Sequence, residues 1–188
     1  MSADTLTRVL RDGYDRSAAD YDDHFRALQR VKYATMLEAA GDALTECLRR
    51  GPVLDVGCGT GLFAEFLAAF EPAARTLVGI DLSAAMLARA GRRRIVGVQG
   101  DVAALPFASA SCAAALSFTV LALWPEPERT RRMLDEIHRV LVPNGLLVIT
   151  VLARVADELR AQLHGANYGV GCAHPCGQDV GYVCRRLS

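Results

Sequence analysis

The sequence has little lysine, little tryptophan and no excess of charge of either sign. Its 188 residues include 21 basic and 21 acidic side chains, Lys32 is the only lysine, and Trp124 is the only tryptophan. A formal net charge of zero gives no general attraction to polyanions, so we expect neither a nucleic-acid partner nor an anionic membrane. The sequence also lacks the run of about 20 apolar residues that spans a bilayer, and it lacks an export signal. We therefore expect a cytoplasmic protein.

The six cysteines do not form a recognisable framework. In a reducing compartment they are expected to be free thiols. Cys172, His174 and Cys176 lie close together in sequence. Their spacing does not match the paired ligands of a tetrahedral zinc site, so no metal is predicted.

Strand and helix signals alternate along most of the chain. Short apolar runs predict strands, and segments with helical apolar spacing lie between them, which favours a parallel sheet covered by helices on both faces. The predicted strands are 53–56, 77–80, 95–98, 113–118 and 146–152, with two weaker ones near 168–173 and 180–186. Residues 6–25 are polar and precede a predicted helix over 26–49. We expect residues 1–50 to form a helical cap and first helix in the same domain as the core, residues 51–188.

A glycine-rich loop follows the first predicted strand. It reads Asp55-Val56-Gly57-Cys58-Gly59-Thr60-Gly61. Such a loop lets the backbone approach a ligand at the carboxyl end of a strand. Its G-x-G-x-G spacing differs from the G-x-G-x-x-G of dinucleotide sites, and Asp55 would repel a pyrophosphate but attract an ammonium group. A nicotinamide-dependent oxidoreductase is therefore the less favoured alternative.

Two further carboxylates follow the next two strands. Asp81 ends the second strand, where a carboxylate can accept hydrogen bonds from ribose hydroxyls. Asp101 follows the third strand and can accept from an adenine amino group. Together with Asp55, these acids indicate one elongated ligand with an amino acid, a sugar and a purine.

These residues resemble the class I S-adenosylmethionine-dependent methyltransferases, in particular the group similar to ubiquinone and menaquinone biosynthesis enzymes. The resemblance runs from about Tyr14 to Thr150 and includes Leu105-Pro106-Phe107 and Glu136-Ile137-His138-Arg139-Val140-Leu141. It implies an α/β fold, a Rossmann-like three-layer sandwich with a mostly parallel seven-stranded sheet whose last strand is antiparallel. It also implies S-adenosyl-L-methionine as the cofactor and a small-molecule methyl acceptor.

The resemblance assigns a role to each matching residue. It implies that the methionine part of the cofactor is bound by Asp55, Gly57, Cys58, Gly59 and Gly61. It implies that the nucleoside is bound by Asp81, Leu82, Met86, Asp101 and Val102. Ser117 and Phe118 are expected beside the transferring methyl, and Tyr21 is expected to close over the site.

The sequence has fewer recognisable motifs for the part of the site that would bind the methyl acceptor. A sulfonium methyl needs no enzyme nucleophile, so alignment and exclusion of water are the expected contributions of the protein. Phe118, Leu121, Leu123 and Trp124 are predicted to form an apolar wall. His24 is the candidate base, should the acceptor need one. A non-catalytic cofactor-binding protein and a homodimer stay open alternatives.

Overall fold

The structure is a computed structural model that describes residues 3–70, 77–93, 95–121 and 127–188. In these ranges the helices are α1 (Ala3–Ser17), α2 (Tyr21–Arg50), α3 (Leu62–Phe70), α4 (Ala84–Ala90), α5 (Pro127–Val140) and α6 (Ala156–Gly165). The strands are β1 (Val53–Val56), β2 (Leu77–Asp81), β3 (Val96–Gln99), β4 (Cys112–Phe118), β5 (Leu141–Leu152), β6 (Tyr168–Cys176) and β7 (Asp179–Arg186). Short 3-10 turns follow β3 and β5.

The strands form one sheet in the order β3-β2-β1-β4-β5-β7-β6. Neighbours from β3 to β5 are parallel, whereas β7 runs antiparallel to both β5 and β6. The predicted Rossmann-like fold is therefore confirmed, including the antiparallel last strand. Because the chain order reverses between β1 and β4, a crevice opens there at the carboxyl ends of the strands, where open α/β sheets bind their ligands.

Helices cover both faces of the sheet. On one face, α2 and α3 bury Met36, Leu37 and Phe63 against β4 and β5. On the other face, α5 and α6 bury apolar side chains such as Met133 and Leu163 against the same strands. Strands β1 and β4 are buried along their whole length, as a sheet covered on both sides requires.

Some element boundaries differ from the sequence predictions. Helix α2 begins at Tyr21 rather than 26 and is interrupted at Gly41, whose φ of 48° leaves the helical region. Strand β5 begins at Leu141 rather than 146, because Leu141 pairs with Cys112 before the register shifts. The predicted helix stop at 143–145 thus forms an irregularity inside this strand, with Asn144 at a φ of 60°.

The helices of the described ranges include none with the length and hydropathy needed to cross a membrane.

Candidate functional site

The glycine loop between β1 and α3 turns sharply over the end of β2. The backbone N–H groups of Gly57 and Cys58 both donate to the carbonyl oxygen of Ile80, at 2.8 and 3.0 Å. Gly57 has a φ of 69°, in the left-handed region that favours glycine. A Cβ at this position would collide with the side chain of Val120, so Val120, two residues after the end of β4, is in close contact with the loop.

Asp55 lies at the centre of this arrangement and is only 2% exposed. Burial raises its pKa from 3.8 to about 8, and the nearby carboxylate of Asp81 contributes in the same direction. Its Oδ2 atom has no hydrogen-bond partner among the described residues. A buried carboxylate oxygen without a donor is costly, so this position calls for a donor from outside the chain.

A small cavity of about 30 Å³ lies beside Asp55. Its lining also includes Tyr21, Gln29, Gly59 and Thr60. The Oε1 atom of Gln29 is likewise buried without a partner in the described part of the chain. A group with several N–H donors, such as an ammonium, would satisfy both oxygens.

Asp81 lies at the end of β2. Its Oδ2 accepts a hydrogen bond from the Gly59 N–H at 2.8 Å, and its Oδ1 accepts from the Ser83 N–H at 2.9 Å. Burial raises the pKa of Asp81 despite these two bonds. Asp81 therefore fixes the shape of the glycine loop and still presents its carboxylate to the main cavity.

Asp101 follows β3 and caps the short 3-10 turn. Its Oδ1 accepts from the Ala103 N–H at 2.9 Å, and Arg129 donates to its Oδ2 at 2.6 Å. This ion pair is largely buried on the arginine side. The sequence analysis predicted a role for Asp101 but did not predict its ion pair with Arg129.

A main cavity of about 590 Å³ connects most of these positions. The predicted site residues in its lining are Tyr21, Gly57, Gly59, Asp81, Leu82, Met86, Asp101, Val102 and Phe118. Asp55 and Cys58 line the small cavity instead. The two cavities share Gly57, Gly59 and Phe118 in their linings, so acids from three successive strand ends lie along adjacent cavities.

The structure does not bring every predicted residue to the cavities. Gly61 packs against Ala90 of α4, and Ser117 is fully buried behind the cavity wall. His24 is exposed, is not part of the cavity lining, and has its Nδ1 2.8 Å from the Asp20 carbonyl oxygen. Its role as a base stays a prediction that this placement does not support.

The predicted apolar wall is only partly visible. Phe118 lines the main cavity, but Leu121 lies in the core and contributes to a separate cleft. Val120 takes the place predicted for Leu121. Leu123 and Trp124 lie outside the described residues.

The N-terminal helices cover the crevice. Tyr14 and Tyr21 both line it, with ring centroids 6.4 Å apart. Burial raises the pKa of Tyr14 to about 12. Asp15 of α1 accepts hydrogen bonds from the Ser83 hydroxyl and, at 3.2 Å, from the Ala85 N–H at the start of α4. Polar contacts thus hold α1 over the crevice.

Asp22 fastens the start of α2 in the same way. It accepts a hydrogen bond from the Thr60 hydroxyl in the glycine loop, and it forms an ion pair with Arg93. Arg93 also donates to the Thr60 carbonyl oxygen at 2.6 Å. These contacts tie the start of α2 to the glycine loop.

Sequence reasoning missed several polar residues of the main cavity, and three of them form one cluster. They are Lys32 of α2, Thr119 just after β4 and Asp179 at the start of β7. One signal was available, because Lys32 is the only lysine among 21 basic residues. Asp179 had no comparable signal, since only the fold brings the turn between β6 and β7 to this crevice.

The fold and the glycine loop with its strand-end acids define a class I S-adenosylmethionine-dependent methyltransferase. The chain belongs to the family described as "Methyltransferase domain", whose model matches residues 54–149. That span contains β1 to the first part of β5, and so includes the glycine loop, Asp81 and Asp101.

Named relatives agree with this family. A malonyl-[acyl-carrier protein] O-methyltransferase of Pectobacterium atrosepticum is 31% identical over 148 residues, which are 78% of this chain and 54% of the relative. A trans-aconitate 2-methyltransferase of Deinococcus radiodurans is 38% identical over 136 residues, 65% of this chain and 50% of the relative. The chain spans about half the length of these curated relatives.

A solved structure shows the same fold over nearly the whole chain. The N-methyltransferase NodS of Bradyrhizobium japonicum, in complex with S-adenosyl-l-homocysteine, superposes with a TM-score of 0.75 and 19% identity. The match covers 94% of this chain and 97% of that one.

Proposed function

We propose that this chain transfers a methyl group from S-adenosyl-L-methionine to a small-molecule acceptor in the main cavity. The observation that carries the proposal is the buried Asp55 of β1, beside the glycine loop, whose Oδ2 finds no donor in the described part of the chain. An ammonium group supplies that donor, whereas a pyrophosphate would be repelled.

The residues at the crevice fit this cofactor from end to end. Asp55 and Gln29 would receive its amino group, with Gly57, Cys58 and Gly59 around the methionine part and Gly61 setting the loop. Asp81 would accept from the ribose hydroxyls. Leu82 and Met86 would lie against the adenine, and Asp101 with Val102 would meet its edge. The family resemblance implies these assignments, and the positions of most of these residues in the linings of the two adjacent cavities support them.

When bound, the cofactor supplies a methyl group that is already activated on a sulfonium. The chain contributes position and shielding, which can account for several kcal/mol of the barrier. Phe118 and Val120 form an apolar wall beside the glycine loop, with Ser117 behind it. Such a wall disfavours water where positive charge is being lost. Tyr14 and Tyr21 close the crevice from the N-terminal side.

The relatives support an acceptor that is a small molecule or a small group on a carrier protein. One is named for O-methylation of malonyl-[acyl-carrier protein] and another for methylation of trans-aconitate. The net charge of zero supports a small molecule over a nucleic acid. We also propose a cytoplasmic location, which matches the free thiols of the described chain.

Calorimetry and a transfer assay test the proposal. S-adenosyl-L-homocysteine should bind, NADH should not, and labelled methyl should move from S-adenosyl-L-methionine to a member of a broad acceptor panel. Tighter binding of NADH would overturn the assignment in favour of an oxidoreductase. Binding of S-adenosyl-L-homocysteine without transfer to any acceptor would favour the non-catalytic alternative.

A further inference from the structure

A buried polar cluster forms one wall of the main cavity and has no part in the cofactor assignments. Lys32 of α2, Thr119 after β4 and Asp179 at the start of β7 all line this cavity. Thr150 of β5 lies behind them and is fully buried. Asp179 is 1% exposed and Lys32 is 9% exposed, so the cluster is almost completely removed from solvent.

The hydrogen bonds in the cluster converge on one oxygen. Asp179 Oδ2 forms an ion pair with Lys32 Nζ at 3.0 Å and accepts hydrogen bonds from the hydroxyls of Thr119 and, at 3.3 Å, Thr150. Lys32 Nζ also donates to the Thr119 hydroxyl oxygen at 2.8 Å. The cluster therefore holds Lys32 and Asp179 in a fixed relative position.

Thr119 adopts an unusual backbone conformation to take part. Its φ is 61°, in the left-handed region, which is rare for a β-branched residue. Its backbone N–H donates to the Thr150 carbonyl oxygen at 3.0 Å. Backbone strain of this kind persists where surrounding contacts enforce it, and such positions concentrate at ligand sites.

The cluster is left with one donor and one acceptor. An ammonium has three N–H donors, and two of those on Lys32 are directed at Thr119 and Asp179. Asp179 Oδ1 is buried and has no partner within the part of the chain that the structure describes. A ligand group that both accepts and donates a hydrogen bond would complete the cluster.

The charges of Lys32 and Asp179 already balance. A carboxylate placed here would add a second negative charge next to the unpaired oxygen of Asp179, and an amine would add a second positive charge next to Lys32. Either excess would be buried and costly. An uncharged hydroxyl accepts from Lys32, donates to Asp179 and leaves the balance unchanged.

The same cavity offers an apolar surface next to this cluster. Phe25, Leu28 and Val31 lie on α2 and line the cavity, yet they are 42%, 48% and 51% exposed. Large apolar side chains exposed together at a cavity are typical of a ligand surface. Leu28 lies one helical turn before Lys32 and both line the cavity, so the apolar surface continues to the cluster.

We propose that the Lys32–Asp179 pair binds the head group of the methyl acceptor and selects an uncharged hydroxyl attached to an apolar body that lies on Phe25, Leu28 and Val31. The inference rests on the proposed function, because it names the acceptor for that site. Lys32 and Asp179 thereby determine specificity through contact with the acceptor.

Binding of four simple probes tests the inference without requiring turnover. Octanol, its methyl ether, octanoate and octylamine are titrated into the full chain saturated with S-adenosyl-L-homocysteine. The methyl ether accepts but does not donate, so it leaves Asp179 Oδ1 unpaired and should bind about tenfold more weakly than octanol. Octanoate and octylamine should also bind more weakly than octanol. Equal binding of octanol and its ether would overturn the inference.

Two variants reverse the charge balance in opposite directions. Lys32→Met leaves Asp179 in excess and should shift preference from octanol to octylamine. Asp179→Asn leaves Lys32 in excess and should shift it to octanoate. Arg30→Met is the matched control, because Arg30 lies on the same helix but stacks on Phe66 at 5.8 Å rather than lining the cavity. It should keep the preference of the native chain.

The failures of the two proposals are distinguishable. If S-adenosyl-L-homocysteine binds but none of the probes does, or if both variants retain the native preference, the acceptor inference is wrong and the methyltransferase assignment stands. If S-adenosyl-L-homocysteine itself does not bind, the proposed function is wrong. If either variant fails to fold, the comparison of octanol with its ether on the native chain still decides.

Discussion

Cofactor binding should release a proton from Asp55. The pKa of this buried carboxyl is raised to about 8 in the free chain, so at pH 7 it is about nine-tenths protonated. The proposed contact with the cofactor's ammonium requires a carboxylate. An α-amino group with an ordinary pKa near 8 is itself mostly charged at pH 6 and 7, so the carboxyl is the group that must change.

The structure gives the size of the effect. At pH 7, ionising a carboxyl with a pKa of about 8 costs about 1.4 kcal/mol, which is subtracted from the binding free energy. Each unit of pH below that adds the same amount, so affinity should fall about tenfold between pH 7 and pH 6. The number of protons released should be close to one at pH 6.

Titration calorimetry with S-adenosyl-L-homocysteine in buffers of different ionisation enthalpy measures the released protons directly. Asp55→Asn keeps the shape of the side chain and removes the titrating group. It should bind more weakly than the native chain at pH 7, with no proton release and little change in affinity between pH 6 and pH 7. The reasoning is refuted if the native chain releases no proton, or if the variant releases as many as the native chain.

Further perturbations test the rest of the site and the fold. Asp81→Ala should weaken binding of S-adenosyl-L-homocysteine by a few kcal/mol at most, measured by calorimetry, because ribose hydroxyls would lose their acceptor; unchanged affinity would remove Asp81 from the site. Gly57→Ala should lower the free energy of unfolding, measured in urea, by about 1–3 kcal/mol, because the added methyl group clashes with Val120. Adding Val120→Ala should restore only part of this lost stability, since the positive φ at position 57 persists. Glu136→Gln should lower the free energy of unfolding by about 1 kcal/mol at pH 7, because Arg139 holds the pKa of Glu136 below its usual range. This loss of stability should disappear as the pH is lowered below 4.5 and the native Glu136 becomes protonated. A difference between variant and native chain that stays constant with pH would contradict this origin.

The sheet could be predicted from the sequence because its central strands have a clear apolar pattern. Buried parallel strands read as continuous apolar runs, and 53–56 and 113–118 are buried at every position in the structure. The antiparallel β7 required the family resemblance, since the chain beyond β5 alternates weakly. The boundaries of the strands were harder to predict from the sequence. The early start of β5 at Leu141 depends on pairing with Cys112, a contact that the local sequence does not show.

The cofactor end of the site was predictable for a similar reason. Asp55, Asp81 and Asp101 each lie at or just beyond the carboxyl end of a strand. Parallel strands end at the same edge of the sheet, so sequence position alone places these acids together. The acceptor end has no such rule. Lys32 lies within a long helix and Asp179 in a hairpin turn, and 147 positions in sequence separate them although they form one ion pair. Only the tertiary fold creates that pair, and a chemical signal remained solely in the rarity of lysine.

Several departures from ordinary folding rules lie at this crevice. Gln29, Asp55 and Asp179 each bury a side-chain oxygen without a partner in the described chain, and all three line its cavities. Thr119 adds a positive φ at the same place. Each feature destabilises the free chain, and a ligand that donates hydrogen bonds would satisfy the three unpaired oxygens. Since Asp55 binds its proton more tightly in the folded state, the free chain should lose stability as pH rises from 3.8 toward 8, and the cofactor should restore it. The same unpaired oxygens that weaken the free chain would therefore favour binding of the proposed ligands at both ends of the crevice.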